Sequence, residues 1–355
     1  MGSEDFKKRK YQITSDLENT VSALESGYHE TVRVRSVVEN TGKILEDLDA
    51  RFCRETGLNA TDVSFLFFAT GLQIARQYLL SNEKYRLSDR QGERLIESSL
   101  LLAPPNWKDV LTQSVPYDAI KTGTHISNTG LSGTTHRYRT LGHDPIFGWI
   151  FGTANIMTSS LTKTSFETYQ VKNMQMIRHY PLGVVGMLEK AISYAIDEPK
   201  LLAVSVGRQA IHFGSDYFTK QGLPVPFIST VNNDVAMKML SQWHIDMWSI
   251  TRGMAVATFI NQIISIIHGL FCSETSQMER KLYEVRTRKI ISYSNLIATC
   301  SNVAVVALTK DMRKLDIGGM AVAIYKLITN AKFIRQVKEE FIFGGYREMI
   351  MGDGY

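Results

Sequence analysis

Between residues 133 and 149 the chain reads GTTHRYRTLGHDPIFGW, which sets His136, His143 and Asp144 within nine positions, with Arg137 and Arg139 beside them. Imidazole nitrogens and carboxylate oxygens suit zinc or manganese, and a coordination position left open on such an ion activates water for hydrolysis. His136, His143 and Asp144 are therefore the candidate metal ligands, and a divalent ion is the implied cofactor. Completing the coordination sphere calls on His125, His179 or His212. The spacing is not that of His-Glu-x-x-His, so other readings stand beside this one. Arg137 and Arg139 are candidate ligand-binding residues, because an arginine fork matches phosphate oxygens and a helix start offers free N–H groups. The third reading is architectural: Asp144 directly precedes Pro145, the order expected at a helix N-terminus with aspartate at the cap and proline in the first turn.

Elsewhere the chain has no phosphate-binding loop, no G-x-G-x-x-G, no G-x-S-x-G and no Cys-x-x-Cys. His29, His244 and His268 are isolated and read as helix residues, and the 14 methionines read as core filling. Cys53, Cys272 and Cys300 are odd in number and far apart, so buried free thiols in a reducing compartment are expected. The charged segment 1–10 has no apolar run behind it, so a cleaved secretory signal is not expected.

The elements that must position these groups are mostly helical. The chain has 355 residues, 44% of them apolar and 21% charged, with a net charge of +5, a balance that permits contact with nucleic acid or an anionic membrane without demanding either. Residues 1–103 read as a helical N-terminal unit. Its first helix carries Leu17, Val21, Leu24 and Val32 at helical spacing behind a Ser15/Glu18 capping box, and breaks near Gly27 or Gly42. A buried helix at 61–80 follows, then one opened by Ser88 and Gln91 and stopped by Pro104 and Pro105. Residues 104–228 hold all eight prolines and much glycine, serine and threonine, and read as a loop-rich middle with the candidate ligand site. Residues 229–355 contain no proline and read as an apolar helical C-terminal unit. The fold class is thus mainly α.

Within the C-terminal unit, 253–272 and 290–309 are each free of Asp, Glu, Lys and Arg over twenty residues, long enough to cross a bilayer as a transmembrane hairpin. Lysine and arginine flank both ends of the pair, so no inside-outside bias appears and a soluble hairpin or helical scaffold is the alternative. Ser294, Ala298 and Ser301 form a small-residue face for close helix-helix contact, expected as the interface of a homo-oligomer.

Two stretches, GTTHRYRTLGHDPIFGWIFGTANIMTSSLT at 133–162 and the apolar run 295–342, resemble uncharacterised proteins of bacterial defence islands. In general plan, a soluble helical part followed by apolar helices, the chain is similar to the membrane effector of the Hailong anti-phage system. That resemblance implies an effector that assembles in or at the inner membrane of a bacterium under control of a nucleotide or nucleic acid, and it assigns no catalytic residue. A second resemblance is to a bacterial family of membrane-bound metal-dependent hydrolases, through His136, Arg137 and Thr140 of its His-Arg-x-x-Thr-His-Ser motif. Leu141 stands where the second histidine of that motif would be, and the next histidine is His143.

Overall fold

The computed structural model describes residues 3–79 and 113–352, together with positions 91, 94 and 111. It is mainly α-helical, with a small sheet in the middle of the chain. Two compact units are assembled from interleaved segments. The first comprises 1–69, 262–294 and 324–355; the second comprises 70–261 and 295–323. This differs from three consecutive units, because α-helices distant in sequence bury their apolar faces against one another. The expected helix at 88–103 lies outside the described residues.

In the first unit, α1 (Ser3–Glu39) and α2 (Thr41–Glu55) are separated at Asn40, close to Gly42. Helix α1 already begins at Ser3, so Ser15 and Glu18 lie inside it rather than capping it. Leu48 and Phe52 of α2 form a core with Leu282 and Val285 and with Val337 and Phe341. Helix α3 (Ala60–Leu79) opens with Asp62 accepting from the Asn59 N–H while Asn59 accepts from the Asp62 N–H.

In the second unit, four short strands, β1 (Lys121–Thr122), β2 (Ser160–Thr162), β3 (Thr168–Lys172) and β4 (Gln175–His179), lie in the order β1-β4-β3-β2. β1 runs parallel to β4 and the other neighbours are antiparallel. Lys172 pairs with Gln175, leaving Asn173 and Met174 as a two-residue turn, both at positive φ. Such a turn follows the right-handed twist of the flanking strands. The sheet packs Leu161, Tyr169, Val171 and Met176 against Val115, Tyr117, Leu131 and Ile156. Around it are the one-turn helix α4 (His136–Arg139), α5 (Phe147–Thr158), α6 (Gly183–Asp197) and α7 (Pro199–Phe218), with short turns α8 (Ile228–Val231) and α9 (Asn233–Met237) after them. The middle of the chain is therefore more regular than its proline and glycine content suggests.

Among the described residues, three helices are long and apolar enough to cross a membrane: α10 (Met247–Gly269), α11 (Gln277–Thr309) and α12 (Ile317–Met351). The first two contain the two charge-free stretches; the third was masked in the sequence by its scattered Lys326, Lys332 and Arg335. Their polar residues point inward. In the second unit Gln73 donates to Asn261 Oδ1 (2.9 Å) and to the Ala257 carbonyl (3.2 Å), Asn295 donates to the same Asn261 Oδ1 (2.7 Å), and Arg76 pairs with Asp316 (2.6 Å). In the first unit buried Asp62, His268 and Thr287 form a continuous chain. On the same helices Phe259, Ile266, Leu270, Leu296, Leu308 and Ile328 are exposed. Buried polar groups together with large exposed apolar residues on these helices are compatible with hydrocarbon as the surrounding solvent.

Ser294 and Ala298 are buried within the chain and Ser301 is half-buried, so this small-residue face packs inside one molecule rather than standing open to a second copy. Ala298→Phe would therefore overpack a core and cost about 1–3 kcal/mol. The cysteines also differ from expectation: all three are free, but Cys53 and Cys300 are exposed and Cys272 is half-buried.

Ile266 is 65% exposed. If lipid covers it, Ile266→Arg lowers membrane recovery by an insertion cost of about 2.5–3.5 kcal/mol, measured by fractionation of expressing cells. An unchanged distribution with an unchanged melting temperature would place this face in water.

Candidate metal centre

Three segments of the second unit meet at one point. The first is the 3₁₀ turn Pro116–Asp118, entered by a proline and held by Tyr117, which is fully buried. The second is the turn Leu141–His143 between α4 and α5. The third is the C-terminal half of α7, where His212 and Asp216 stand four residues apart and so share one face. Asp118 Oδ1 lies 3.0 Å from His143 Nε2 and 3.6 Å from His212 Nε2, and the two histidine nitrogens are 3.2 Å apart. Asp216 Oδ2 lies 3.6 Å from His143 Nε2 and 3.3 Å from His212 Nε2. His136 Nε2 stands at the edge, 3.8 Å from Asp118 Oδ1.

The clamp that brings the segments together is Gln209, one turn before His212. Its Oε1 accepts from Tyr117 O–H (2.6 Å) and its Nε2 donates to the Gly142 carbonyl (2.9 Å). Each partner is the immediate neighbour of a cluster residue, Tyr117 of Asp118 and Gly142 of His143. The amide reaches this position because Gly152 of α5 carries no side chain: a Cβ there would collide with Gln209, and one on Gly148 would collide with Phe213 and with the Gly142 carbonyl that the amide binds. Tyr117 also meets His143 and His212 edge-on, with ring centroids at 5.0 and 5.3 Å.

The protons on the histidines are determined by their outer neighbours. Thr140 Oγ1 donates to the His136 carbonyl (2.9 Å), so it can only accept from His143 Nδ1 at 2.6 Å. His136 Nδ1 faces the Ser132 carbonyl at 3.1 Å and must donate to it. Both rings consequently carry their proton on Nδ1 and turn a lone pair on Nε2 toward Asp118. Burial pushes His143 down to about 4, against the pull of the Asp118 carboxylate, so the ring is neutral at pH 7. Burial works against the charge of Asp118, but His212 and His143 hold its carboxyl well below the usual carboxylate range. Among the described residues, no hydrogen-bond donor satisfies the buried Asp118 Oδ1 or Asp216 Oδ2.

The Asp118 carboxylate and the Nε2 atoms of His143 and His212 stand 3.0–3.6 Å apart, so a single cation, a shared proton or a metal ion, can lie between them. Ligand atoms about 2.0–2.2 Å from one ion stand about 3–3.5 Å from each other, so Asp118, His143 and His212 fit a single divalent ion. The outer shell is of the kind metal ligands need: Thr140 and the Ser132 carbonyl orient two rings, and Arg137 pairs with Asp216 at 2.8 Å while donating to Thr219 Oγ1 at 2.8 Å. His143 is wholly buried, whereas the side chains of Asp118 and His212 keep 26% and 17% of their exposure.

Of the residues singled out in sequence, His143 is central and His136 peripheral, and Asp144 is not a ligand. Its Oδ1 accepts from the Ile146 and Phe147 N–H groups, both at 2.9 Å, and its Oδ2 accepts from the Phe227 N–H at 2.7 Å, the helix-starting role that the Asp-Pro pair suggests. Arg137 is held by Asp216, and Arg139 donates to the Gly130 carbonyl at 3.1 Å, so both guanidinium groups are engaged within the chain. His212 joins the cluster, whereas His179 stacks on Tyr169 and His125 lies elsewhere. Asp118 and Asp216 were not singled out. The i, i+4 spacing of His212 and Asp216 was a usable signal; Asp118 sits in an irregular turn with none.

Two outcomes are expected. Purified protein supplied with Zn²⁺ or Mn²⁺ retains about one ion per chain by elemental analysis, and His212→Gln or Asp118→Asn abolishes retention. Because His143 is held near 4 and an unfolded histidine titrates near 6.5, the unfolded chain binds more protons between these values. Stability contributed by the neutral ring is complete above about pH 6.5 and is lost as the pH falls toward 4, which thermal melting of metal-free protein would show. Separately, Gly152→Ala displaces Gln209 and should lower stability by about 1–3 kcal/mol.

No protein-family model, no curated protein and no solved structure matches this chain.

Proposed function

We propose that the protein is a metal-dependent hydrolase carried by a membrane-associated helical chain. The observation that supports this reading is the convergence of the Asp118 carboxylate and the His143 and His212 ring nitrogens within 3.0–3.6 Å of one another. A divalent ion held by these three groups would supply Lewis-acid activation of water and of a substrate carbonyl or phosphoryl oxygen. Asp118 provides the negative charge that lets a divalent cation reside in a largely buried site. His143 is immobilised by Thr140 and serves as a fixed ligand. His136 is the better placed of the two outer groups for proton transfer, since its Nδ1 is held by the Ser132 carbonyl, 14% of its side chain remains exposed, and it stands beside rather than within the ligand triangle. Asp216, clamped by Arg137, holds the far side of the His143–His212 pair.

The three apolar helices are compatible with membrane association, and we place the hydrolase at a bacterial inner membrane. The test is hydrolysis of chromogenic phosphomonoester, phosphodiester and carboxylester substrates by detergent-solubilised protein loaded with Zn²⁺ or Mn²⁺. Activity should appear in one class and vanish in Asp118→Asn. His136→Gln should retain metal and lose about 10²–10⁴-fold in kcat, the usual contribution of a positioned acid or base. A folded protein that binds no ion, or an active protein indifferent to Asp118, would overturn the proposal.

A further inference from the structure

The helix that carries two residues of the metal cluster also carries an aromatic row. On α7, Phe213 and Tyr217 follow His212 and Asp216 by one residue each, so the two i, i+4 pairs run side by side along the helix. Trp149 of α5 meets Phe213 edge-on with ring centroids at 5.4 Å. Trp248 of α10 meets Tyr217 at 5.3 Å and Phe218 at 5.4 Å. Trp149, Phe213, Tyr217 and Trp248 thus form one row beside His212 and Asp216. Its two ends differ in surroundings. Trp248 lies in the first turn of α10, a helix of spanning length. Trp149 shares the outer face at the start of α5 with Ile146 and Ile150, and each of these three residues is at least 46% exposed.

The junction of α7 with α10 is tightly built. Tyr217 O–H and Thr251 Oγ1 share a hydrogen bond, the Met247 N–H donates to the Leu223 carbonyl at 3.0 Å, and Asp246 starts α10 by accepting from the Ser249 N–H at 2.8 Å. Gly222, at φ +65°, turns the chain back between them, where a Cβ would collide with the Asp246 carboxylate. The start of α10 therefore fixes the level of the metal centre. His212 is six residues from Phe218, about 9 Å along the helix axis, and Phe218 rests on Trp248. Whatever the tilt of α7, His212 lies within about 10 Å of that contact. The polar layer on each side of a bilayer is about 5–8 Å thick, and tryptophan and tyrosine gather there because their rings are apolar and their edges polar. With α10 in hydrocarbon, the row and the metal centre beside it stand at headgroup depth. Exposed Lys220, two residues beyond Phe218, and Arg252, one turn beyond Trp248, add cations next to the row, which suits phosphate-bearing headgroups.

We propose that the metal centre works at the bilayer surface and that its substrate is a phospholipid, hydrolysed at a phosphoester bond of the headgroup; this rests on the hydrolase reading above. The hydroxyl of one water joins phosphorus, the bond from phosphorus to the alcohol oxygen breaks, and the alcohol leaves with the remaining hydrogen, so no further reactant is needed. The test uses full-length protein loaded with Zn²⁺ or Mn²⁺ in vesicles of phosphatidylethanolamine and phosphatidylglycerol. With Cys53, Cys272 and Cys300 replaced by serine, a fluorophore on Ile150→Cys should be quenched by lipids spin-labelled at the headgroup and protected from iodide. Mass spectrometry of the vesicle lipids should show headgroup cleavage, absent in Asp118→Asn, at a rate at least tenfold above that on water-soluble bis(p-nitrophenyl) phosphate. Quenching by iodide and not by the labelled lipid would put this face in water and overturn the proposal, while leaving a hydrolase of soluble substrates standing. Cleavage of bis(p-nitrophenyl) phosphate with none of vesicle lipid would overturn it in the same way. Quenching by the labelled lipid with no hydrolysis of either compound would remove the hydrolase reading itself, and the phospholipid assignment with it.

Discussion

The second unit is organised around an electrostatic conflict. Asp118, His143 and His212 converge to 3.0–3.6 Å, and the carboxylate and the neutral His143 ring repel there unless a shared cation or the surrounding chain holds them together. Gln209 opposes that repulsion by tying together the residues beside the three groups, and Gly152 makes room for it. The sheet supplies the stiff backing: Tyr117, which the clamp holds, is also a member of the core formed by β2, β3 and β4. A cation at this point would convert the same arrangement from repulsive to attractive, so ion binding and the integrity of the unit are linked.

The apolar helices solve a related problem differently. Their buried polar groups are paired in short hydrogen-bonded chains, Asn295–Asn261–Gln73–Arg76–Asp316 in one unit and Asp62–His268–Thr287 in the other. Such chains add less stability than packed hydrocarbon would, but they permit only one relative register of the helices they join. Gly253 and Gly318 approach closely where α10 meets the start of α12, next to Asp316, so the helices touch backbone to backbone where the polar chain ends.

Much of this was legible in the residues. The absence of proline after 228 and the two charge-free stretches identified helices of spanning length, and Asp-Pro at 144–145 marked a helix start. His143 was recognisable by residue type. His212 stood only as one of three histidines that could complete the sphere, and Asp118 was not recognisable, because the centre is assembled from segments about 25 and 70 residues apart and no local spacing records that juxtaposition. The sheet escaped notice since its strands are two to five residues long and rich in serine and threonine, too short for an alternating pattern. Burial of Ser294 and Ala298 could not be told from exposure to a partner, as small residues serve both contacts equally.

The interleaving of the two units also determines the order in which they can be completed during synthesis. The segments of the metal centre, from Tyr117 to Thr219, emerge consecutively and can close on one another without help from the C-terminal helices. The first unit cannot. Leu48 and Phe52 wait for Leu282 and Phe341, and nearly two hundred residues separate the first segment of that unit from its second. At about 5–20 residues per second, α1 and α2 remain without their core for roughly ten to forty seconds on the ribosome. Their exposed leucines and phenylalanines must be tolerated, or shielded, for the whole of that interval.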